Sequence, residues 1–310
     1  MGIIIDWKKG TIPIKWNVIF GKERHLIVDI GSGNGDFLLQ ISKKNDYNFI
    51  GIERSNEYIL KSQKKIEKNF ISNVRLLKAD AYFALGCLFE NKSIEQIYVN
   101  FPDPWEKKKQ RNRRLFRKDF IEIIATKLKK DGVINLLTDH KEFKEFVIKN
   151  IEQTGYLKKI NIEENPLGLN NYPETNYMRK WRKMKKPIFF LQYKVKKNCD
   201  TWQSPVVVKN DISNIEIKKK MEIDEIASIL YNYSYSKKSV FHITRVFKEK
   251  NKKELLLFII VKEKYLLQRL YVKIKITHNK TLILLLNRDH ILLTSFIQET
   301  LKIIKVLLTS

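Results

Sequence analysis

The segment 26–35 limits the fold more than any other. A compact apolar run, Leu26-Ile27-Val28-Asp29-Ile30, leads directly into Gly31-Ser32-Gly33-Asn34-Gly35. The run reads as a buried strand, and the glycines that follow read as a tight turn. After Asp36, the residues Phe37, Leu38 and Ile41 share one helical face. The same alternation then repeats. Phe49-Ile50-Gly51-Ile52 predicts a second strand ending at Glu53, and a helix is expected over 56–69, carrying Tyr58, Ile59, Gln63 and Ile66. Val74-Arg75-Leu76-Leu77 predicts a third strand leading to Asp80, and 94–101 a fourth leading to Pro102-Asp103-Pro104-Trp105. A helix over 117–130 is expected to turn Phe120, Ile123, Ile124 and Leu128 inward and to end at Asp131-Gly132. A fifth strand over 133–137 leads to Thr138-Asp139, and a helix over 142–151 follows. Strands alternating with helices mean βαβ units and a mostly parallel sheet, an α/β fold. In such sheets ligands bind beyond the carboxyl ends of the strands. Glu53, Asp80, Asp103 and Asp139 lie at or just past those ends, and Asp29 lies one residue before the first. Solubility does not explain charges at the edges of apolar runs, whereas a shared site does.

The texture changes near Pro187. Runs over 188–195, 239–247, 255–261, 270–276 and 281–286 look like strands, while 222–231 and 289–308 look like helices. Strands in succession suggest an antiparallel α+β domain. Asn198, Asp200, Pro205, Asn210 and Asp211 make 196–213 the expected linker. The expected division is therefore a domain over 1–195 and an accessory domain over 196–310.

Sixty Lys and Arg against 34 Asp and Glu give a net charge of +26. That surplus points to a polyanionic partner, nucleic acid before a membrane surface, since no helix shows a clean basic amphipathic face. Richness in Lys, Ile and Asn together is also what AT-rich coding produces. With 43% apolar residues the chain has enough for a core. The two cysteines, Cys87 and Cys199, form no disulfide framework and match no metal-ligand spacing, so no metal is expected and a reducing compartment is. The longest apolar run, 255–261, falls far short of the roughly 20 residues of a membrane span. Met1-Gly2 lacks the Ser or Thr of a myristoylation site because Asp6 stands there. No signal-peptide pattern is read at the start, and a cytoplasmic location is expected.

The glycine turn lets backbone pass close to a ligand. Glu53, 18 residues after Gly35, stands where a carboxylate accepts the ribose hydroxyls of an adenosine. A dinucleotide site prefers a third glycine where Asp36 stands, and the Asp36 charge opposes a pyrophosphate. S-adenosylmethionine, with an adenosine, no phosphate and a cationic tail, fits better. Asp29 then holds the α-ammonium and Asp80 the adenine amine. The sulfonium carbon is already electrophilic, so methyl transfer needs alignment more than acid or base help. Two prolines hold Asp103, and Trp105 offers a stacking face, although Pro-Asp-Pro is also a good turn and Trp a good core residue. Next come Lys107-Lys108-Lys109-Gln110-Arg111-Asn112-Arg113-Arg114, then Arg117-Lys118. Such a run is usually a solvated face. Beside an acceptor site, phosphate contact is the better reading.

At this point the chain resembles the bacterial tRNA (guanine-N7-)-methyltransferases over about 14–178. The resemblance rests on the Trp16 to Gly21 stretch, Asp29 to Gly35, Gly51-Ile52-Glu53 and Asp80-Ala81. It continues through Phe101-Pro102-Asp103-Pro104-Trp105 with Lys107, Arg113-Arg114, Leu137-Thr138-Asp139 and Thr175 with Tyr177. It implies a Rossmann-like methyltransferase fold with a C-terminal extension. It implies an S-adenosylmethionine pocket lined by Asp29, the three glycines, Glu53, Asp80 and Asp103, with Asp103 catalytic. Lys107, Asp139, Thr175, Tyr177, Arg113 and Arg114 are the implied substrate-side residues. The implied product is 7-methylguanosine at tRNA variable-loop position 46. Guanine N7 has a free lone pair, so no general base is needed, and a fixed carboxylate stabilises the cationic base as it forms. Two departures stand out: Asp29 replaces the usual Glu, and Met178 stands where the family has Glu, with Glu174 next to Thr175. The other readings are a methyltransferase for another RNA base or rRNA, and a non-catalytic RNA-binding protein on this scaffold. The intact glycines, Glu53 and Asp103 weigh against the second.

Overall fold

The computed structural model describes residues 2–8, 11–43, 46–164, 172–197, 199, 211–249 and 252–310. The chain divides into two compact units, one covering Met1–Trp7 and Thr11–Gln203 and the other Lys8–Gly10 and Ser204–Ser310. Most of the segment read as a linker lies outside the described residues.

The first unit runs α1 (Trp16–Phe20), β1 (His25–Ile30), α2 (Asp36–Ile41), β2 (Tyr47–Glu53), α3 (Asn56–Lys68), β3 (Val74–Lys78), α4 (Ala81–Leu88) and β4 (Ile94–Asn100). A 3-10 turn (Lys108–Arg113) follows, then α5 (Lys118–Lys127), β5 (Leu128–Thr138), α6 (Lys141–Thr154), β6 (Leu157–Glu164), α7 (Asn176–Lys183) and β7 (Phe189–Val195). These strands form a seven-stranded sheet in the order β3-β2-β1-β4-β5-β7-β6. The strands from β3 to β5 are parallel, and β7 runs antiparallel between β5 and β6. Helices cover both faces of such a sheet, so its central strands are apolar on both sides, as β1 is. The strand order reverses between β1 and β4, which opens a crevice at their carboxyl ends.

Three elements differ from the sequence reading. The helix α4 gave no amphipathic signal because it is buried all round, from Tyr82 to Leu88. The helix expected to reach Lys130 ends at Lys127, and Leu128 already pairs with Ile94 of β4. Leu128 is buried in either conformation, so its hydrophobicity fitted both. The run over 188–195, grouped by texture with the later strands, instead fills the gap between β5 and β6 in the first sheet.

The second unit contains β8 (Ile215–Ile217), α8 (Ile223–Leu230), β9 (Ser234–Ser236), β10 (Val240–Lys248), β11 (Glu254–Glu263), β12 (Leu266–Ile276) and β13 (Thr281–Leu285). A 3-10 turn (Arg288–His290) precedes α9 (Ser295–Thr309). The helix expected from residue 289 therefore starts at Ser295, where the Thr294 hydroxyl caps it by accepting the Ile297 N–H. The six strands form an antiparallel sheet in the order β8-β13-β12-β11-β10-β9. Its core joins alternate strand residues such as Leu257, Ile259 and Val272 to Ile226 of α8 and Leu301 of α9.

Candidate cofactor and nucleic-acid site

The turn after β1 is anchored to β2 through the backbone: Gly31 N–H and Ser32 N–H both donate to the Ile52 carbonyl, at 2.8 and 3.1 Å. Gly31 and Gly35 adopt φ of +74° and +81°, a region that side chains rarely enter. A Cβ on Gly35 would lie 2.8 Å from Ser62 Oγ, so α3 packs where that side chain would be. A Cβ on Gly31 would meet nothing within 4 Å, so the space above it is open. Gly33, also at positive φ, donates its N–H to Glu53 Oε2 at 3.1 Å. Glu53 Oε1 accepts the N–H groups of Arg54 and Ser55 at 2.7 Å each. The carboxylate at the end of β2 is thus fixed beside the turn. Its two oxygens have about four lone-pair directions, so capacity for further donors remains.

Asp29 is the most unusual group in the unit. Its carboxylate is buried at 1% exposure, and among the described residues no donor meets good hydrogen-bond geometry to either oxygen, although the Asn100 side chain approaches it. Burial pushes its pKa up to about 7, the approach of the Asn100 side chain lowers it, and the charge of Glu53 raises it further. The Asn100 amide nitrogen at the end of β4 is also buried without an acceptor. The Asn100 carbonyl oxygen accepts the hydroxyl of Tyr172, whose ring packs on Phe37, Tyr98 and Phe190. Burial raises the Tyr172 pKa, so this hydroxyl stays a donor. A buried carboxyl group and a buried amide donor, near each other but without good hydrogen-bond geometry at the strand-order reversal, make a site for a ligand with both charges, such as an amino acid zwitterion.

Asp36 carries the charge that argued against a pyrophosphate. It pairs with Lys65 and accepts from Asn34 and from Asn176 of α7. Asp80 is half-buried and caps α4, its Oδ1 accepting from Tyr82 N–H at 2.9 Å and Phe83 N–H at 3.4 Å. Burial raises its pKa, and these two bonds and Arg54 lower it.

After β4 the Pro-Asp-Pro segment is flanked by two residues at positive φ, Phe101 at +51° and Trp105 at +44°. Strained backbone of this kind persists where its surroundings dictate it. Here Arg114 Nε donates to the Pro104 carbonyl at 2.6 Å, and Phe101 N–H donates to Leu137 at 2.9 Å. Asp103 stands exposed between them, without a partner among the described residues. Its rigidity comes from these anchors as well as from its prolines.

The basic run separates into two kinds of residue. Lys107, Lys108, Lys109, Arg111, Arg113 and Lys118 are exposed. Arg114 is 3% exposed, stacks over Phe146, and is an anchor of the loop rather than a phosphate contact. Arg117 likewise bonds Tyr82, the Asn112 carbonyl and Asp119. The Arg113 guanidinium lies over the Trp105 ring at 5.1 Å, so one face of that ring is covered rather than open to a base.

Asp139, at the end of β5, is half-buried and has no partner among the described residues. Its neighbour His140 lies 3.4 Å from Glu106, which brings the end of β5 to the start of the basic run. Thr175 is buried and caps α7, accepting the Met178 N–H at 3.1 Å, while Met178 Sδ accepts the Thr175 N–H at 3.5 Å. The thioether thus takes the capping-box position of a carboxylate, which is how the segment keeps its shape without Glu. Glu174 instead pairs with Arg182. Tyr177 is 56% exposed and stacks on Phe101 at 5.7 Å, which ties α7 to the Pro-Asp-Pro segment. Asn100 and Tyr172 were missed as site residues. Asn100 is legible as a polar strand end, but Tyr172 gives no local signal.

The model of a family described as putative methyltransferase matches residues 23–191. A protein named tRNA (guanine-N(7)-)-methyltransferase from Thermotoga maritima is 32% identical, over 77% of this chain and 72% of its own. One of the same name from Aquifex aeolicus is 31% identical over 92% of this chain and 94% of its own, a match that reaches into the second unit. One from Bacillus subtilis is 31% identical over 56% of this chain and 83% of its own.

Proposed function

The chain belongs to the family of the tRNA (guanine-N7-)-methyltransferases, and on that premise we propose how its residues transfer a methyl group from S-adenosylmethionine to guanine N7 in tRNA. The observation that carries the reading is the Asp29 carboxylate, buried beside the glycine turn with no cation paired to it among the described residues. An anion left unpaired in an apolar interior is costly unless a cation completes it. The α-ammonium of S-adenosylmethionine is such a cation, and the Asn100 amide would serve the neighbouring carboxylate. Glu53 would take the ribose hydroxyls and Asp80 the adenine amine, each through lone pairs its local bonds leave free. Asp29, shorter by one methylene than the Glu usual in the family, would need the cofactor's amino end deeper in the crevice.

Bound S-adenosylmethionine supplies an electrophilic methyl group. Asp103, held exposed on an anchored backbone, faces the positive charge that spreads into the purine ring as N7 gains the methyl. A preorganised carboxylate stabilises that charge without reorganising. Lys107 and Arg113, with the exposed lysines beside them, grip phosphates, while Asp139, Thr175 and Tyr177 border the base. Arg114 acts on Asp103 through Pro104. We also propose that the target is variable-loop position 46, that the catalytic domain spans 1–195 and an accessory domain 196–310, and that the protein works in the cytoplasm on tRNA. Among the described residues no helix is long and apolar enough to cross a membrane.

The test is to incubate the full chain with tRNA and methyl-labelled cofactor, then digest to nucleosides. Label in 7-methylguanosine is expected, and reduction followed by aniline cleavage should map it to the variable loop. Label in another nucleoside would transfer the activity to a different base. Cofactor binding without label would leave a non-catalytic binder.

A further inference from the structure

We infer that the open face of the second sheet binds unstacked nucleotides of RNA, with Phe258 and Tyr271 as the stacking platform and Arg245, Lys262 and Arg269 as phosphate contacts. The inference rests on tRNA being the substrate and gives the second unit a share in holding it. In β11 and β12 alternate residues enter the core, so the intervening ones form a second face. On that face Phe258 pairs directly with Tyr271, their rings 4.9 Å apart and edge to face, and Phe247 lies 5.4 Å from Phe258. Tyr271 is 37% exposed and Phe247 46%. A solvent-facing row of aromatics on a sheet marks an interaction surface.

The charges select the partner. Arg245 stands opposite Phe258, Arg269 opposite Ile260, and Lys262 opposite Leu267. None of the three has an ion-pair partner among the described residues. On the same face Lys273 and Lys275 both lie against Glu254, at 2.6 and 3.7 Å. The uncompensated cations therefore lie beside the aromatic pair and along one flank of it, towards Lys262, while Lys273 and Lys275 on the other flank are neutralised by Glu254. A second copy of the chain meeting this face about a two-fold axis would set these cations against themselves. RNA offers what both features need: bases whose faces stack on aromatic rings and phosphates for the cations. Paired bases stack on one another, so the nucleotides taken here are single-stranded or splayed out.

The experiment uses the full chain, a fluorescent single-stranded oligoribonucleotide, and tRNA, each titrated over a range of salt. The triple variant Arg245→Ala, Lys262→Ala, Arg269→Ala is expected to lower the log–log salt slope for the oligonucleotide by about two. Tyr271→Ala is expected to weaken binding roughly 5- to 150-fold with the slope unchanged, the effect of one lost stacking partner. Phe247→Ser, at an exposed ring, repeats that test if Tyr271→Ala fails to fold. Unchanged circular dichroism and cofactor binding show that the variants remain folded. Wild-type affinity and slope in the folded variants would overturn the inference. So would a wild-type dimer in sedimentation that the triple variant dissociates, which would give the face to a second copy. A chain that fails to label guanine in tRNA would remove the proposed function alone. The oligonucleotide measurement still reads this face.

Discussion

The two sheets carry chemistry in opposite ways. The first is buried on both faces, and its candidate functional groups are exceptions to its own pattern: Asp29 inside an apolar strand, and Phe101 and Trp105 in left-handed backbone around Asp103. In the second, β11 and β12 obey a period of two with little deviation, and what they offer a partner is the pattern itself, one full face of both strands. A site at strand ends concentrates strain and desolvation in a few atoms, so single substitutions of its buried groups affect stability and activity together. A sheet face spreads its contacts over side chains that nothing else in the fold needs. Substitutions there should move affinity and leave stability alone.

The largest expected effect tests the first half of that contrast at its exposed end. Asp103→Asn keeps the shape and removes the charge, and single-turnover methylation should slow by roughly a hundred- to a thousand-fold. Because Asp103 has no partner among the described residues, the unfolding temperature should not move. An Asp103→Asn enzyme within a few-fold of wild type would leave alignment as the whole of catalysis.

Asp29 gives the next largest effect and the sharpest form of the contrast. Its folded pKa of about 7 lies above the ordinary 3.8, so between these values the unfolded chain ionises while the folded chain stays protonated. Folding then binds more protons than unfolding, and the cofactor-free protein loses stability as pH rises from about 4 to about 7. A cationic ligand reverses the preference, so cofactor affinity should rise through the same window. Asp29→Asn should weaken cofactor binding about 10- to 150-fold in calorimetry, the scale of a lost charge-assisted hydrogen bond. The same variant should raise the unfolding temperature of the free protein by about 2–4 °C above pH 7 and leave it unchanged near pH 4. A loss of both binding and stability at neutral pH would make Asp29 a structural residue.

The smallest effect divides the basic run. Lys107→Ala with Arg113→Ala should flatten the salt dependence of tRNA binding by about two, with stability unchanged. Arg114→Ala should leave that slope alone and lower the unfolding temperature instead, since it frees the Pro104 carbonyl and opens a buried space. If Arg114→Ala flattens the slope as the others do, the guanidinium reaches phosphate after all and the anchor reading fails.

Much of this was legible because burial has a period. The five parallel strands of the first sheet, most of its helices and the glycine turn follow from apolar runs and breaks in the sequence. The same reading misplaced the end of α5 because Leu128 is buried as helix or strand, and passed over α4 because an element apolar on all sides has no phase to detect. Asp29, Glu53, Asp80 and Asp103 were visible as carboxylates at the ends of apolar runs. Arg113 and Arg114 were not separable, since adjacent cations look alike until one of them is seen to be buried and to donate to the Pro104 carbonyl.

The sequence by itself determined which residues sit at strand ends, since that depends on neighbours in the chain. Only the tertiary structure decided which of them lack partners. It brought Tyr172 to Asn100 across 72 residues, set Asn176 against Asp36, and left the Asp29 carboxylate with none. Hydrogen-bond satisfaction is a property of the folded surroundings, where donors arrive from distant segments, and no local pattern records which groups they fail to reach.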